Sequence, residues 1–191
     1  MKRAVACALI HYPVLDRSGE VVTSAITNID LHDISRSALT FGLSDCFIIH
    51  PVAAQRSLAE RIQQHWVEGS GGRRIPDRKP ALEILRVVES LEAALAAWQS
   101  RLGAEPQVWT TSARHLGDAQ ALSLSRARSL LEEAGPPVLL CFGTGWGLAP
   151  SVHQMAAHHL EPIASPRADG YNHLSVRAAA AILFDRLLGT R

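Results

Sequence analysis

The chain has 191 residues, 47% of them hydrophobic and 19% charged, with a formal net charge of +1. That length suits one well-buried domain over 1–191, and no segment is biased enough to read as disordered. Near-neutral charge neither demands nor excludes a nucleic-acid partner, because the distribution of Lys and Arg decides that, not their sum.

The N-terminal MKRAVACALIHYPV has a basic start and an apolar stretch like a short signal. His11, Tyr12 and Pro13 interrupt it and no cleavage site is convincing, so a first core strand over 4–10 is expected. Cys7, Cys46 and Cys141 each sit inside an apolar run. An odd number of such residues reads as reduced, buried thiols in a cytosolic protein. No stretch approaches the roughly 20 apolar residues of a membrane span. A cytoplasmic protein with no membrane partner is expected.

Helical periodicity predicts a helix over 31–42, stopped by Gly42, then a strand over 45–50 and a helix over 53–67. Residues 69–80, GSGGRRIPDRKP, read as a mobile loop in which glycines and prolines bracket Arg73, Arg74, Arg78 and Lys79. Such a run can hold phosphates by charge, although a solvated connection is its commoner role. Further strands are expected over 82–88, 107–111, 137–142 and 159–163. Further helices are expected over 90–102, 123–134, 150–157 and 174–188. Ser90 and Asn172 stand where N-caps belong, and Gly103 and Gly135 where helices stop. Strands alternating with helices indicate an α/β protein with a parallel sheet.

Residues 141–147, CFGTGWG, place glycines and a tryptophan where an apolar strand runs out. Glycine there lets a backbone approach something flat or charged. A Rossmann glycine loop would need an acidic residue further on, and Glu161 has about the right spacing, but that turn belongs after the first strand of its fold. A phosphate-binding P-loop requires a Lys-Ser or Lys-Thr pair that is missing. A purely structural turn, with Trp146 capping the core, is the third reading.

Two more segments bear on the choice. NIDLHDISRSALTFGLSDCFII, residues 28–49, is a capped helix with Ile34, Ala38, Leu39 and Phe41 on one face, Arg36 at its middle, and a strand after the glycine stop. LEPIASPRADGYNHLSVRAAAAILFDRLL, residues 160–188, runs from a short strand through a Pro, Gly and Asp-rich loop into an apolar final helix.

Together these segments resemble the SPOUT superfamily of S-adenosylmethionine-dependent RNA methyltransferases. NIDLHDISRSALTFG resembles the N-terminal motif of its ribose-methylating branch, and FGTGWGL with LEPI and YNHLSVRAAAAI resembles its last two motifs. The resemblance covers nearly the whole chain. In detail it points to a small bacterial family related to the tRNA guanine-N1 methyltransferase class. It implies a Rossmann-like parallel-sheet domain with a C-terminal trefoil knot, S-adenosylmethionine as cofactor, an RNA substrate (tRNA or rRNA, at a ribose 2′-oxygen or a base nitrogen) and a homodimer. The final segment would pass through the loop around 142–148, where glycines let two backbones lie close.

The resemblance also implies a cofactor pocket with three walls. The first is the turn carrying Thr111 and Ser112, the second carries Gly143, Thr144, Gly145, Gly147 and Leu148, and the third carries Ile163, Tyr171, Asn172, His173 and Leu174. Methyl transfer requires relief of the nucleophile's proton. Arg36 and Asp169 are the catalytic candidates, the first as base or phosphate holder, the second as base toward a guanine nitrogen. RNA contacts are expected from Arg73, Arg74, Arg78 and Lys79. His153, His158 and His159 lack helical metal-pair spacing, so no metal is expected. A SPOUT-fold protein that binds cofactor or RNA without transferring a methyl group is the alternative.

Overall fold

The computed structural model describes residues 3–116 and 121–190. Strand β1 (Val5–Ile10) is buried along its whole length. A hairpin of β2 (Val14–Leu15) and β3 (Val21–Val22) precedes helix α1 (Asn28–Thr40), β4 (Cys46–Ile49) and α2 (Ala53–Val67). Then come α3 (Ser70–Arg74), a 3₁₀ turn (Pro76–Arg78), α4 (Lys79–Glu83), β5 (Leu85–Val88), α5 (Leu91–Leu102) and β6 (Gln107–Thr110). The chain closes with α6 (Leu124–Glu132), β7 (Val138–Gly143), α7 (Pro150–Gln154), β8 (His158–His159) and α8 (Val176–Leu188).

The main sheet has the order β5-β4-β1-β7-β6-β8. Every ladder in it is parallel, with Cys7 of β1 level with Cys46 on one side and Leu140 on the other. Parallel strands covered on both faces need apolar residues at every position, which is why these runs show no polar alternation. Val5, Cys7 and Leu9 pack beneath α1, α2, α4, α6 and α8, while Ala6, Ala8 and Ile10 face α5 and α7. Phe142 meets Phe184 of α8 edge to face at 5.6 Å between centroids, and Trp98 of α5 sits edge-on to Phe47. At the sheet's first edge, Gln63 of α2 caps backbone carbonyls: its Nε2 donates to Leu82 at the end of α4 and to Leu85 of β5.

The helix caps follow the hydroxyl rule. Thr27, Ser90, Ser123 and Ser175 accept from the amides of Asp30, Ala93, Arg126 and Ala178, each cap being worth about 1 kcal/mol. Gly103 closes α5 at φ +69° and Gly42 follows α1 at φ +80°, conformations that cost a side chain energy.

Several sequence-based expectations are corrected. Ser175, not Asn172, caps the final helix; Asn172 Nδ2 instead donates to the Ile163 carbonyl at 2.7 Å. Gly135 stops no helix, since α6 ends at Glu132, and a Cβ on it would sit 2.5 Å from the Arg3 guanidinium. Residues 69–80 are largely helical because Trp66 organises them: Gly71 packs against its ring and the Arg78 guanidinium stacks 4.9 Å above it. The run 82–88 begins as the end of α4, and the strand expected at 159–163 is confined to His158 and His159.

Candidate active site

In open parallel sheets, ligands bind beyond the carboxyl ends of strands where the strand order reverses. Here β1 leads outward to β4 and β5, while β7, β6 and β8 fill the other side, so the reversal lies between β1 and β7. The residues just past those two strands are His11 and Thr144.

Both belong to a partly buried hydrogen-bond chain. Thr144 Oγ1 donates to the Ile10 carbonyl at 3.3 Å, Ser24 Oγ lies within bonding distance of Thr144 Oγ1, and His11 Nδ1 lies 2.9 Å from Ser24 Oγ. Each hydroxyl has one proton to give. With Thr144 serving Ile10 and Ser24 serving Thr144, His11 must carry its hydrogen on Nδ1. Its Nε2 is then a bare lone pair, and that atom is buried with no partner among the described residues. Burial, reinforced by neighbouring His50, lowers the His11 pKa to about 4, so the ring is neutral near pH 7. His50, 5.8 Å away, is tied on both nitrogens, to the Ser24 carbonyl and the Val52 amide.

The glycine turn rests on this network. Leu15 of β2 clamps it from outside: its amide donates to the Gly147 carbonyl and its carbonyl accepts from the Trp146 amide, both at 2.9 Å. Gly145 (φ +59°) and Gly147 (φ +112°) adopt the left-handed region, and a Cβ on Gly143 would lie 2.7 Å from the Leu148 nitrogen. The backbone that presses on the glycines is therefore β2 and the turn itself. The passing strand expected there from residues 160–188 is not among the close neighbours of these glycines. Trp146 caps no core; it is 49% exposed.

The first two expected walls meet. Thr111 donates from both its amide and Oγ1 to the Cys141 carbonyl, and the Arg114 guanidinium lies 5.7 Å from the Trp146 ring centre. Ser112 Oγ accepts from the Arg114 amide. Leu148 is buried beneath the turn, and the Gly145 amide has no backbone acceptor among the described residues. A glycine-lined turn with an open donor, buried Leu148 and the neighbouring hydroxyls of Thr111 and Ser112 fits an adenosine-type cofactor, which such sites hold by apolar contact and a few placed polar groups.

The third wall is looser. Ile163 packs against the core, while Tyr171, His173 and Leu174 are exposed, Tyr171 with its ring 6.4 Å from that of His173. Asp169 is exposed and held in a fork by Arg167, with Oδ1 2.8 Å from Nε and Oδ2 2.5 Å from Nη2. That guanidinium, with the Tyr171 amide behind it, holds the carboxyl below the usual carboxylate range.

Arg36 stands apart from these walls, in a groove of about 500 Å³ between α1 and α8 shared with Asp33, Phe41, Ser175 and Arg177. Its guanidinium is 3.9 Å from Asp33. Arg177 donates to Asp30 at 2.8 Å and lies 3.5 Å from Asp33. Of the four basic residues between 73 and 79, Arg78 stacks on Trp66, Lys79 pairs with Glu83 at 3.7 Å, and Arg73 reaches the Glu68 carbonyl. At the far edge, Thr110 Oγ1 joins His153 Nδ1 and His159 Nδ1, so these two histidines share one hydroxyl. Sequence reading missed His11 and Ser24; a histidine closing an otherwise apolar buried strand was the one available signal.

A family model described as SAM-dependent RNA methyltransferase matches residues 4–189. A tRNA (guanine-N(1)-)-methyltransferase from Oleidesulfovibrio alaskensis is 45% identical over 187 residues, covering 98% of this chain but 42% of that protein. This chain thus spans less than half the length of that relative. Among solved structures, TrmJ from Z. mobilis superposes with a TM-score of 0.63 at 16% identity, covering 99% of this chain and 69% of the other. The SpoU methyltransferase AviRb from Streptomyces viridochromogenes, solved with the cofactor AdoMet, gives 0.56 at 14% identity, covering 98% and 58%. At such identities these two likenesses speak to the fold.

Proposed function

This chain belongs to the SAM-dependent RNA methyltransferase family, and from that premise we propose that residues 1–191 form one SPOUT domain that methylates a tRNA or rRNA nucleotide. The observation that carries the reading is the junction of two turns, Thr111–Arg114 and Gly143–Leu148, at the carboxyl ends of adjacent parallel strands. S-adenosylmethionine supplies a sulfonium-activated methyl group when bound. Thr111, Ser112, Gly143, Thr144, Gly145, Gly147 and Leu148 would hold it, with Ile163, Tyr171, Asn172, His173 and Leu174 closing the third side.

Residues 160–175 lead from the outer strand β8 to α8, which packs on α1 and α6, so the chain returns from the sheet's edge toward its middle. That course supports the trefoil knot. Exposed Ile29 and Leu39 on α1, with Leu174 just before α8, supply an apolar surface for the homodimer. With a partner seated there, Arg36 would face the partner's pocket and steady an RNA phosphate; a guanidinium is rarely deprotonated and suits that role better than proton abstraction. Asp169 would accept the nucleophile's proton once RNA draws Arg167 away. Arg73 and Arg74 extend the basic surface for RNA. A cytoplasmic location accords with this role; no helix among the described residues is long and apolar enough to cross a membrane.

The test is transfer of a tritiated methyl group from S-adenosylmethionine to unmodified tRNA and rRNA transcripts. Incorporation by the wild type, lowered at least tenfold in Arg36→Ala and Asp169→Asn, is expected. Cofactor binding with no incorporation into either RNA would support a binding protein instead.

A further inference from the structure

We infer that Trp146, together with Arg114, is a stacking platform for an unpaired base of the RNA substrate. The inference rests on the methyltransferase reading and adds a contact to it. Trp98 and Trp109 are fully buried, whereas Trp146 keeps half its surface in water at the tip of the glycine turn. Holding an indole there forgoes its burial, a loss for the fold that a ligand contact would recover.

The ring is not on a loose tether. Leu15 brackets it, taking the Trp146 amide hydrogen on its carbonyl and giving its own to the Gly147 carbonyl, and Gly147 bonds back to the Thr144 carbonyl at 3.1 Å. The residues on either side, Gly145 and Gly147, carry no side chain, and a Cβ on Gly147 would meet nothing within 4 Å. A flat molecule can therefore approach the indole unobstructed by its chain neighbours.

The chemistry beside the ring selects the ligand. Arg114 is exposed and sits 5.7 Å from the ring centre, and its backbone is steadied by the Ser112 hydroxyl. An aromatic face next to a planar cation is the pairing that holds single-stranded nucleic acid: the base stacks and the guanidinium takes the phosphate or stacks in turn. The same aromatic chemistry could receive the adenine of the cofactor. Adenine pockets, however, enclose most of their ligand, and half-open Trp146 beside an exposed cation favours the RNA base.

The experiment is fluorescence anisotropy with a fluorescein-labelled oligoadenylate 12-mer, run beside calorimetric titration with S-adenosylmethionine. Trp146→Ala should weaken RNA binding about tenfold, the usual effect of removing one stacked base contact, and leave cofactor affinity unchanged. Trp146→Phe should retain most of the binding, and Arg114→Lys should lose part of it despite keeping its charge. Unchanged RNA binding in Trp146→Ala overturns the inference, as does lost cofactor affinity with RNA binding intact, which would assign the ring to adenine. A wild type that binds cofactor but no RNA also overturns it, and a wild type that binds neither overturns the functional reading with it.

Discussion

His11 shows how one side chain can report on the candidate site. Its hydrogen-bond chain through Ser24 to Thr144 connects β1, the segment before α1 and the glycine turn. The fold keeps this ring neutral down to about pH 4, whereas an unfolded chain protonates it near pH 6.5. Between those values the unfolded state binds more protons, so stability falls as pH drops from about 6.5 to about 4, by up to roughly 1.4 kcal/mol per unit. His32, His50, His153 and His158 are lowered as well, mainly by burial, and act with the same sign. His11→Gln should be less stable at pH 7 yet lose less on acidification, as read from urea midpoints at pH 7 and pH 4.5. An unchanged pH slope would place the titration elsewhere.

At the scale of elements, the glycine turn separates two uses of glycine. Gly103 needs its left-handed φ of +69° but has open space around it, so Gly103→Ala should cost about 1 kcal/mol through backbone strain alone. At Gly143 the obstacle is the backbone of Leu148 and Gly147, which a Cβ would press at 2.7 and 3.0 Å. Gly143→Ala should cost about 1–3 kcal/mol by overpacking and also displace the turn, weakening cofactor binding. Thermal midpoints with parallel cofactor titrations distinguish the two, since Gly103→Ala should bind normally. The long elements were legible in the sequence because runs such as VACALI and VLLCFG are buried on both faces and leave no alternation to confuse them with surface strands. The hairpin of β2 and β3 was not, for two residues per strand carry no period, and β2 is the element that clamps the turn. Residues 69–80 read as a loop because what orders them is Trp66, a packing partner that glycine and proline signals do not reveal.

Across the whole molecule, the candidate site lies at the carboxyl end of the sheet's central strands. The opposite end is closed by a structural cluster in which buried Asp45 takes Arg101 and, at 3.2 Å, Arg86, while Arg128 donates to the carbonyls of Arg186 and Gly189 behind α8. The walls expected for the cofactor were read as motifs, and two of them, the turns at 111–114 and 143–148, meet in the structure. What a sequence could not convey was that Arg36 lies in a separate groove against α8, or that Asp169 is already engaged by Arg167, because both depend on how distant or looped segments settle. The most direct test of the account is calorimetric titration of the protein with S-adenosylmethionine, for wild type and Gly143→Ala. The account predicts one site per chain with a dissociation constant near the micromolar range, weakened at least tenfold by the substitution. Absence of binding at millimolar cofactor, or equal affinity in the two proteins, would contradict a cofactor site built on this turn.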